Sequence, residues 1–241
     1  MKKLLLMIAL IPMLAFTQNN NERRLLGLTE ITVKLGHTTQ FLEGVKKWKA
    51  CYQENNGTDT WNFWRRVQGE GNVFILSGIM DNWAEMDKED AAGKACQSTI
   101  MNFIMPHVEK VSYSLSQTMP DYSRGPNPDM GLVMVIYFKV NNGTDFNEIV
   151  KGVTSAVKAK EGSPRGWWYA AVGGSSENPD YFVSIPFKNF ADLDIQREGV
   201  WKIYENAVGK KKADEMDKKW EATVDDSWSY IYTLNKELSN Q

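Results

Sequence analysis

The stretch TQFLEGVK at residues 39–46 returns as TDFNEIVK at residues 144–151. A second stretch, NWAEMD at residues 82–87, returns as NFADLD at residues 189–194. The two pairs keep nearly the same spacing, which is the sequence signature of an internal repeat. The chain is therefore predicted to contain one structural unit twice.

Each predicted unit has the element order βαββαβ. Strands are indicated by β-branched and aromatic runs, and helices by apolar residues at helical spacing. Thr39 and Thr144 are the predicted N-caps of the first helix in each unit. The predicted strands cover residues 28–35, 60–67, 73–80 and 111–117, then 132–140, 166–172, 181–187 and 227–234. The predicted helices cover residues 39–54 and 83–105, then 145–160 and 191–221.

The apolar pattern of the strands predicts how the two units meet. A βαββαβ unit forms a four-stranded antiparallel sheet with both helices on one face. Several strands are apolar on both faces, among them VFIL at residues 73–76 and LVMVI at residues 132–136. The face without helices must therefore also be covered. We predict an α+β fold in which two tandem ferredoxin-like repeats pack sheet to sheet about a pseudo-two-fold axis.

The first residues have the parts of a secretory signal peptide. Lys2 and Lys3 precede an apolar run at residues 4–15, which is too short to span a bilayer. Cleavage before Gln18 would leave a protein without stable membrane insertion, whereas an uncleaved anchor is the alternative. We expect an exported protein, periplasmic or extracellular and of bacterial origin.

The predicted domain boundaries follow from the repeat and from a stretch rich in proline and glycine. The signal peptide occupies residues 1–17, the first repeat residues 18–119, the linker residues 120–130 and the second repeat residues 131–241.

The charge balance limits the partners of the chain. Its 28 Lys and Arg residues against 30 Asp and Glu residues give a net charge of −2. This balance provides no basic face for nucleic acid. We expect a small neutral, apolar or aromatic ligand instead.

The element order and the Asn-aromatic-Ala-acidic turn at residues 82–85 and 189–192 resemble the dimeric α/β-barrel superfamily. That superfamily includes antibiotic biosynthesis monooxygenase-like, NIPSNAP-like and stress-responsive barrel proteins. Its members include haem-degrading and cofactor-free monooxygenases, isomerases, haem peroxidases and many proteins of unknown role. In single-copy relatives two chains supply the two sheets. The resemblance therefore implies a two-copy barrel within one chain, which we expect to be a monomer.

Aromatic residues on the second strand of each unit are the candidate ligand-binding residues. Side chains of neighbouring strand residues point to opposite faces, so one set faces the helices and the other faces the space between the sheets. Core packing explains both sets. The alternative is a cavity for a flat apolar ligand, with Arg65, Arg66 or Arg165 at its mouth to orient an anionic group. The aromatic candidates are Trp61, Phe63, Trp64, Trp167, Trp168 and Tyr169.

Histidine and cysteine residues are too few for a metal site. The resemblance makes His107 the one conceivable axial ligand for haem, but a solvated histidine that interacts with the dipole at a helix end is the favoured interpretation. Cys51 and Cys96 lack metal-ligand spacing and are expected either to form a disulfide between neighbouring helices or to stay as buried thiols. We expect no metal and no cofactor.

No catalytic constellation is visible in the sequence. Asn82 with Asp87, and Asn189 with Asp194, are predicted to cap helices and complement their dipoles rather than to act as acids or bases. The favoured hypothesis is an exported protein that binds a small apolar or aromatic molecule. The alternatives are a cofactor-independent monooxygenase-like or isomerase-like enzyme, and a structural or interaction module with a filled core.

Overall fold

The computed structural model describes residues 22–241, and the predicted signal peptide lies outside the described residues. Eight antiparallel strands form the centre of the protein. The strands of the first half are β1 (Leu25–Val33), β2 (Asn62–Arg66), β3 (Asn72–Met80) and β4 (Val108–Thr118). Those of the second half are β5 (Leu132–Val140), β6 (Trp167–Ala171), β7 (Tyr181–Phe187) and β8 (Val224–Leu234).

The helices lie between these strands in the same order in both halves. The first half contains α1 (Thr38–Glu54), α2 (Ala91–Ala95) and α3 (Gln97–Thr99), followed by a π-helical turn (Ile100–Ile104) and a 3-10 turn (Met105–His107). The second half contains α4 (Gly143–Glu161), α5 (Val200–Val208) and α6 (Lys210–Thr223). Additional 3-10 turns cover Trp83–Asp87, Pro120–Tyr122 and Phe190–Asp194.

The eight strands form one closed barrel in the order β1-β3-β2-β8-β5-β7-β6-β4. Each half contributes four consecutive strands, and the halves join where β2 pairs with β8 and β4 pairs with β6. The prediction of two ferredoxin-like repeats packed as separate sheets is therefore wrong. The sequence pattern correctly predicted that the face of each four-stranded unit without helices is buried. That face is buried in the interior of the closed barrel.

Backbone hydrogen bonding explains why closure replaces sheet-on-sheet packing. Two separate sheets would leave unpaired N–H and C=O groups along β2, β4, β6 and β8, and such edges invite pairing with other chains. In the barrel, Trp64 lies opposite Leu234 and Ser116 lies opposite Ala171. Every strand of the described chain consequently has two neighbours.

Apolar side chains pack on both sides of the barrel wall. Phe41, Phe63 and Phe74 pack together between α1 and the first half of the barrel. On the other half, Phe146 of α4 is fully buried, as Phe41 of α1 is. A further cluster lines the barrel interior and includes Leu26, Trp64, Val73, Ile75, Val133, Val135, Phe182 and Tyr232.

The second helical region of each half is broken, contrary to the single long helices predicted from the sequence. In the first half, a loop and short helical segments occupy residues 83–107. In the second half, α5 ends and α6 begins at Gly209, whose φ of +85° is a left-handed value that glycine adopts without strain.

Helix capping also differs in part from the prediction. Asn142, rather than Thr144, caps α4 and accepts hydrogen bonds from the Thr144 and Asp145 N–H groups. Asn189 accepts from the Asp192 N–H group, whereas the Asn82 side chain makes no capping hydrogen bond. Glu85 and Asp192, which occupy the same position in the two repeated stretches, accept hydrogen bonds from backbone N–H groups that precede the turn. The donors are the N–H group of Asp81 in the first half and that of Lys188 in the second.

A disulfide joins Cys51 of α1 to Cys96, the residue between α2 and α3. It closes a loop with a sequence separation of 45 residues. Because a cross-link of this span removes conformational entropy from the unfolded chain, it stabilises the fold by about 4 kcal/mol on the loop-entropy scale.

The close approach of α1 to the following helical segments gives a testable prediction. A Cβ atom at Gly44 would lie 2.1 Å from the Phe103 carbonyl oxygen, so Gly44→Ala should lower the free energy of unfolding by about 2–3 kcal/mol. Gly152→Ala in α4 is the matched control, since its Cβ would meet Met216 and Tyr204 side chains at 3.4 Å. Urea unfolding of both variants should show a loss for Gly44→Ala alone; equal losses would contradict this packing.

Candidate ligand-binding site

The barrel encloses a cavity of about 690 Å³ that opens at one end. Leu28, Ile75, Val133 and Val135 contribute aliphatic walls, and Phe182 contributes an aromatic one. Pockets of this size, with mostly apolar walls and few polar groups, are typical of sites for small organic molecules. The barrel interior is therefore the candidate site.

Strand alternation divides the predicted aromatic residues between the cavity and the helices. Trp64, Trp167 and Tyr169 line the cavity. Phe63 packs under α1, and Trp168, although it borders the cavity, stacks on Phe138 with ring centroids 5.7 Å apart. The structure thus brings together one aromatic residue of β2 and two of β6.

Trp61 precedes β2 and contributes to the mouth of the cavity. Its indole Nε1 donates a hydrogen bond of 2.9 Å to the Leu238 carbonyl oxygen. Its backbone also pairs with Asn240. Trp61 consequently fixes the C-terminal segment beside the mouth, where Asn240 and Gln241 also lie.

The three arginines expected at the mouth lie elsewhere and have other contacts. Their guanidinium groups do not contribute to the cavity lining. The guanidinium carbon of Arg65 lies 6.0 Å from the Phe74 ring centroid. Arg66 donates a hydrogen bond to the Glu70 carbonyl oxygen, and its guanidinium carbon lies 4.6 Å from the Tyr230 ring centroid. Arg165 forms an ion pair with Glu161.

The linker between the halves forms one side of the mouth. Met119 donates its N–H group to the Trp168 carbonyl oxygen, and the Ser123 hydroxyl accepts from the Trp168 N–H group. Arg124 donates its N–H group to the Gly166 carbonyl oxygen. These hydrogen bonds hold the linker against β6, and they bring Arg124 to the mouth. The sequence analysis missed Arg124 because the linker was interpreted only as a connection.

Several polar groups of the cavity lining come from hydroxyl-bearing residues that were not predicted from the sequence. The Tyr137 and Tyr232 hydroxyl groups lie 3.1 Å apart and form a hydrogen bond. The Ser77 hydroxyl accepts a hydrogen bond of 2.9 Å from Trp64 Nε1. Alternation in β5 and β8 could have identified both tyrosines, since they share the inward face with Val135 and Leu234.

Burial raises the pKa of the tyrosines of the cavity. Loss of hydration raises the pKa of Tyr169 and of Tyr232 to about 12. Burial is also the main cause that raises the pKa of Tyr137 well above its usual value, with a smaller contribution from Tyr232. Near neutral pH these side chains are phenols, which can donate hydrogen bonds to a ligand oxygen but cannot act as bases.

The two histidines do not belong to the barrel cavity. His37 Nδ1 and His107 Nδ1 lie 2.9 Å apart, and His107 lines a separate pocket of about 320 Å³ beside α1. Neither histidine lines the barrel cavity, so the residues of that cavity do not fit a histidine-ligated haem. Within residues 22–241, no group of three or more His, Cys, Asp or Glu side chains is arranged to hold a metal ion.

No helix among the described residues has the length and apolar character needed to cross a membrane.

No protein family and no curated protein matches the sequence, but solved structures match the fold. A candidate monooxygenase from Fusobacterium nucleatum aligns with a TM-score of 0.54 and 12% identity over 88% of this chain and 93% of that chain. An anthrone oxidase-like protein aligns with a TM-score of 0.52 and 9% identity over 90% of this chain and 93% of that chain. A variant of chlorite dismutase from Candidatus Nitrospira defluvii gives a TM-score of 0.54 and 8% identity over 90% and 93% of the two chains.

The alignments extend over most of this chain and of each neighbour, so the likeness covers the whole fold. Membership of the superfamily that the sequence resembles stays a prediction. At such low identities the likeness shows the fold alone, and the tandem two-copy form of the chain stays a prediction.

The buried phenol of Tyr169 gives a prediction for alkaline pH. Because its pKa is about 12 in the folded protein against 10.0 ordinarily, the folded state retains a proton that the unfolded chain loses. The associated stability is present below pH 10 and is lost as the pH rises towards 12, by up to about 2 kcal/mol. Tyr169→Phe should remove one ionisation near pH 12 from a titration followed at 295 nm, and should reduce the loss of stability. Removal of an ionisation near pH 10 would contradict the burial.

Proposed function

We propose that the barrel interior binds a small molecule with a largely apolar, aromatic body. The open cavity of about 690 Å³ is the observation that carries this proposal. Its walls combine aliphatic side chains with the rings of Trp64, Trp167 and Phe182, which suit stacking against a flat ligand. The same cavity argues against a structural module with a filled core, since such a core would leave no room for a ligand.

Export and a monomeric state are part of the same proposal. The Cys51–Cys96 disulfide supports an oxidising compartment, because such bonds persist outside the cytosol. Closure of the barrel within one chain supports a monomer, since the described strands offer no unpaired edge to a second copy.

A cavity-filling substitution tests the binding proposal. N-phenyl-1-naphthylamine is an uncharged aromatic probe whose fluorescence rises in apolar surroundings. The wild-type protein should bind it, and Val135→Trp should weaken binding at least about tenfold because the new indole occupies the cavity. Calorimetric titration provides a second readout that does not depend on fluorescence.

Val111→Trp is the matched control, because Val111 is 46% exposed on the outer face of β4. It should leave probe affinity unchanged. Circular dichroism establishes that both variants are folded, and Leu28→Phe serves as a second cavity variant if Val135→Trp does not fold. Equal affinity in wild type and in the folded cavity variants would refute binding inside the barrel.

An enzyme is the second candidate function, and the Tyr137–Tyr232 hydroxyl pair favours it. Both phenols are neutral and belong to the cavity lining, where Tyr232 is buried and Tyr137 is half-buried. One hydroxyl proton is used between the two tyrosines, so the pair could donate one hydrogen bond to an oxygen that gains negative charge when a bound phenol or ketone loses a proton to a base from solvent. This hypothesis assigns the tyrosines a stabilising role and assigns the oxidant role to molecular oxygen, as in a cofactor-independent monooxygenase.

Anthrone is a direct probe of this candidate, because one of the structural neighbours is named anthrone oxidase-like. Anthrone and oxygen give anthraquinone and water. An active protein should accelerate anthraquinone formation above the buffer rate, and Tyr137→Phe should lower that acceleration about a hundredfold. Tyr113→Phe, on an exposed outer position, should have no effect. A rate equal to buffer would exclude this reaction, whereas equal loss in both variants would exclude the proposed role of Tyr137.

A further inference from the structure

The guanidinium group of Arg124, at the mouth of the cavity, has one unsatisfied donor. The residue lies in the linker and contributes to the cavity lining. Its Nε atom is buried and has no hydrogen-bond partner among the described residues. A buried donor without a partner costs about 1–3 kcal/mol, and more where the group is charged. The structure therefore retains a polar group that nothing in the described chain satisfies.

A like charge lies near Arg124. Burial and the nearby cation of Arg197 both lower the pKa of Arg124. The other arginine of the mouth, Arg24, has a carboxylate partner, because it lies 3.9 Å from Asp81.

The position of Arg124 is fixed from two sides. Its N–H group donates to the Gly166 carbonyl oxygen at 3.0 Å, which ties the backbone to the start of β6. The guanidinium carbon lies 5.8 Å from the ring centroid of Trp167, a cavity residue. A group held in this way is pre-organised for a ligand that extends from the cavity to its mouth.

We propose that Arg124 binds the anionic head group of an amphipathic organic ligand whose apolar body occupies the barrel cavity. This inference rests on the proposed binding function and narrows its ligand class from apolar molecules to organic anions. Arginine suits the role because its planar fork of N–H donors matches the oxygens of a carboxylate or sulfonate. The head group would supply the acceptor that Arg124 Nε lacks, and the negative charge that offsets Arg124 and Arg197.

Two probes with the same aromatic skeleton test this inference. 8-Anilinonaphthalene-1-sulfonate carries an anionic group, whereas N-phenyl-1-naphthylamine is its uncharged counterpart. The wild-type protein should bind the sulfonate more tightly. Arg124→Gln should weaken the sulfonate about tenfold to a hundredfold, the range expected for a hydrogen bond between charged groups, and should leave the uncharged probe unchanged. Arg124→Lys should give an intermediate affinity, since it keeps the charge but loses the fork.

Arg65→Gln is the matched control, because it removes one positive charge from an exposed position of β2 that does not line the cavity. It should change the affinity of neither probe. Equal weakening of the sulfonate by Arg124→Gln and Arg65→Gln would overturn the inference, since the effect would then be one of net charge. Equal weakening of both probes by Arg124→Gln would also overturn it, because the substitution would have damaged the cavity.

The cavity variant separates failure of this inference from failure of the proposed function. If the uncharged probe binds and Val135→Trp weakens it, the barrel cavity is a binding site whatever Arg124 does. If the wild-type protein then binds the sulfonate no more tightly than the uncharged probe, only the proposed role of Arg124 is refuted. If Val135→Trp affects neither probe, the proposed function and the inference that rests on it both fail.

Discussion

Backbone pairing between the two halves of the chain is the interaction on which the structure depends. The β2–β8 and β4–β6 ladders are short, with Trp64 opposite Leu234 in one and Ser116 opposite Ala171 in the other. The ladders within each half are longer. These short ladders nevertheless give β2, β4, β6 and β8 a second neighbouring strand. This pairing matters because an unpaired buried backbone group would cost about 1–3 kcal/mol. Closure also encloses two apolar faces in one interior, which creates the cavity.

The size of the barrel determines what its interior can contain. An eight-stranded barrel is just wide enough either to be filled by its own side chains or to hold one small ligand. Here Ser77 and Ser184 are small residues at cavity positions that larger side chains could fill. The aromatic rings of Trp64, Tyr169 and Phe182 give the remaining space flat walls. The cavity therefore results from the choice of inward side chains within a barrel that could have been packed solid.

Residue patterns predicted the strands and part of the site, because alternation reflects which side of a strand each side chain occupies. Trp64 and Tyr169 line the cavity by this rule, and Phe63 packs against α1. Barrel closure was not predictable in the same way, since hydrogen bonding along a strand edge is made by backbone groups that every sequence shares. The fold class was wrong for that reason. Arg124 was missed because its role depends on where the linker crosses the barrel.

Different parts of the chain determine the volume of the cavity and the choice of ligand. Inward strand residues such as Val135 set the volume available to a ligand, and they belong to the apolar cluster that stabilises the barrel. The mouth is built from the linker and the terminal segments, whose side chains contribute little to that cluster. A substitution at Val135 should therefore change binding and stability together, whereas one at Arg124 can change ligand choice while the fold is preserved. This separation allows one barrel architecture to accept different ligands through changes confined to its connecting segments.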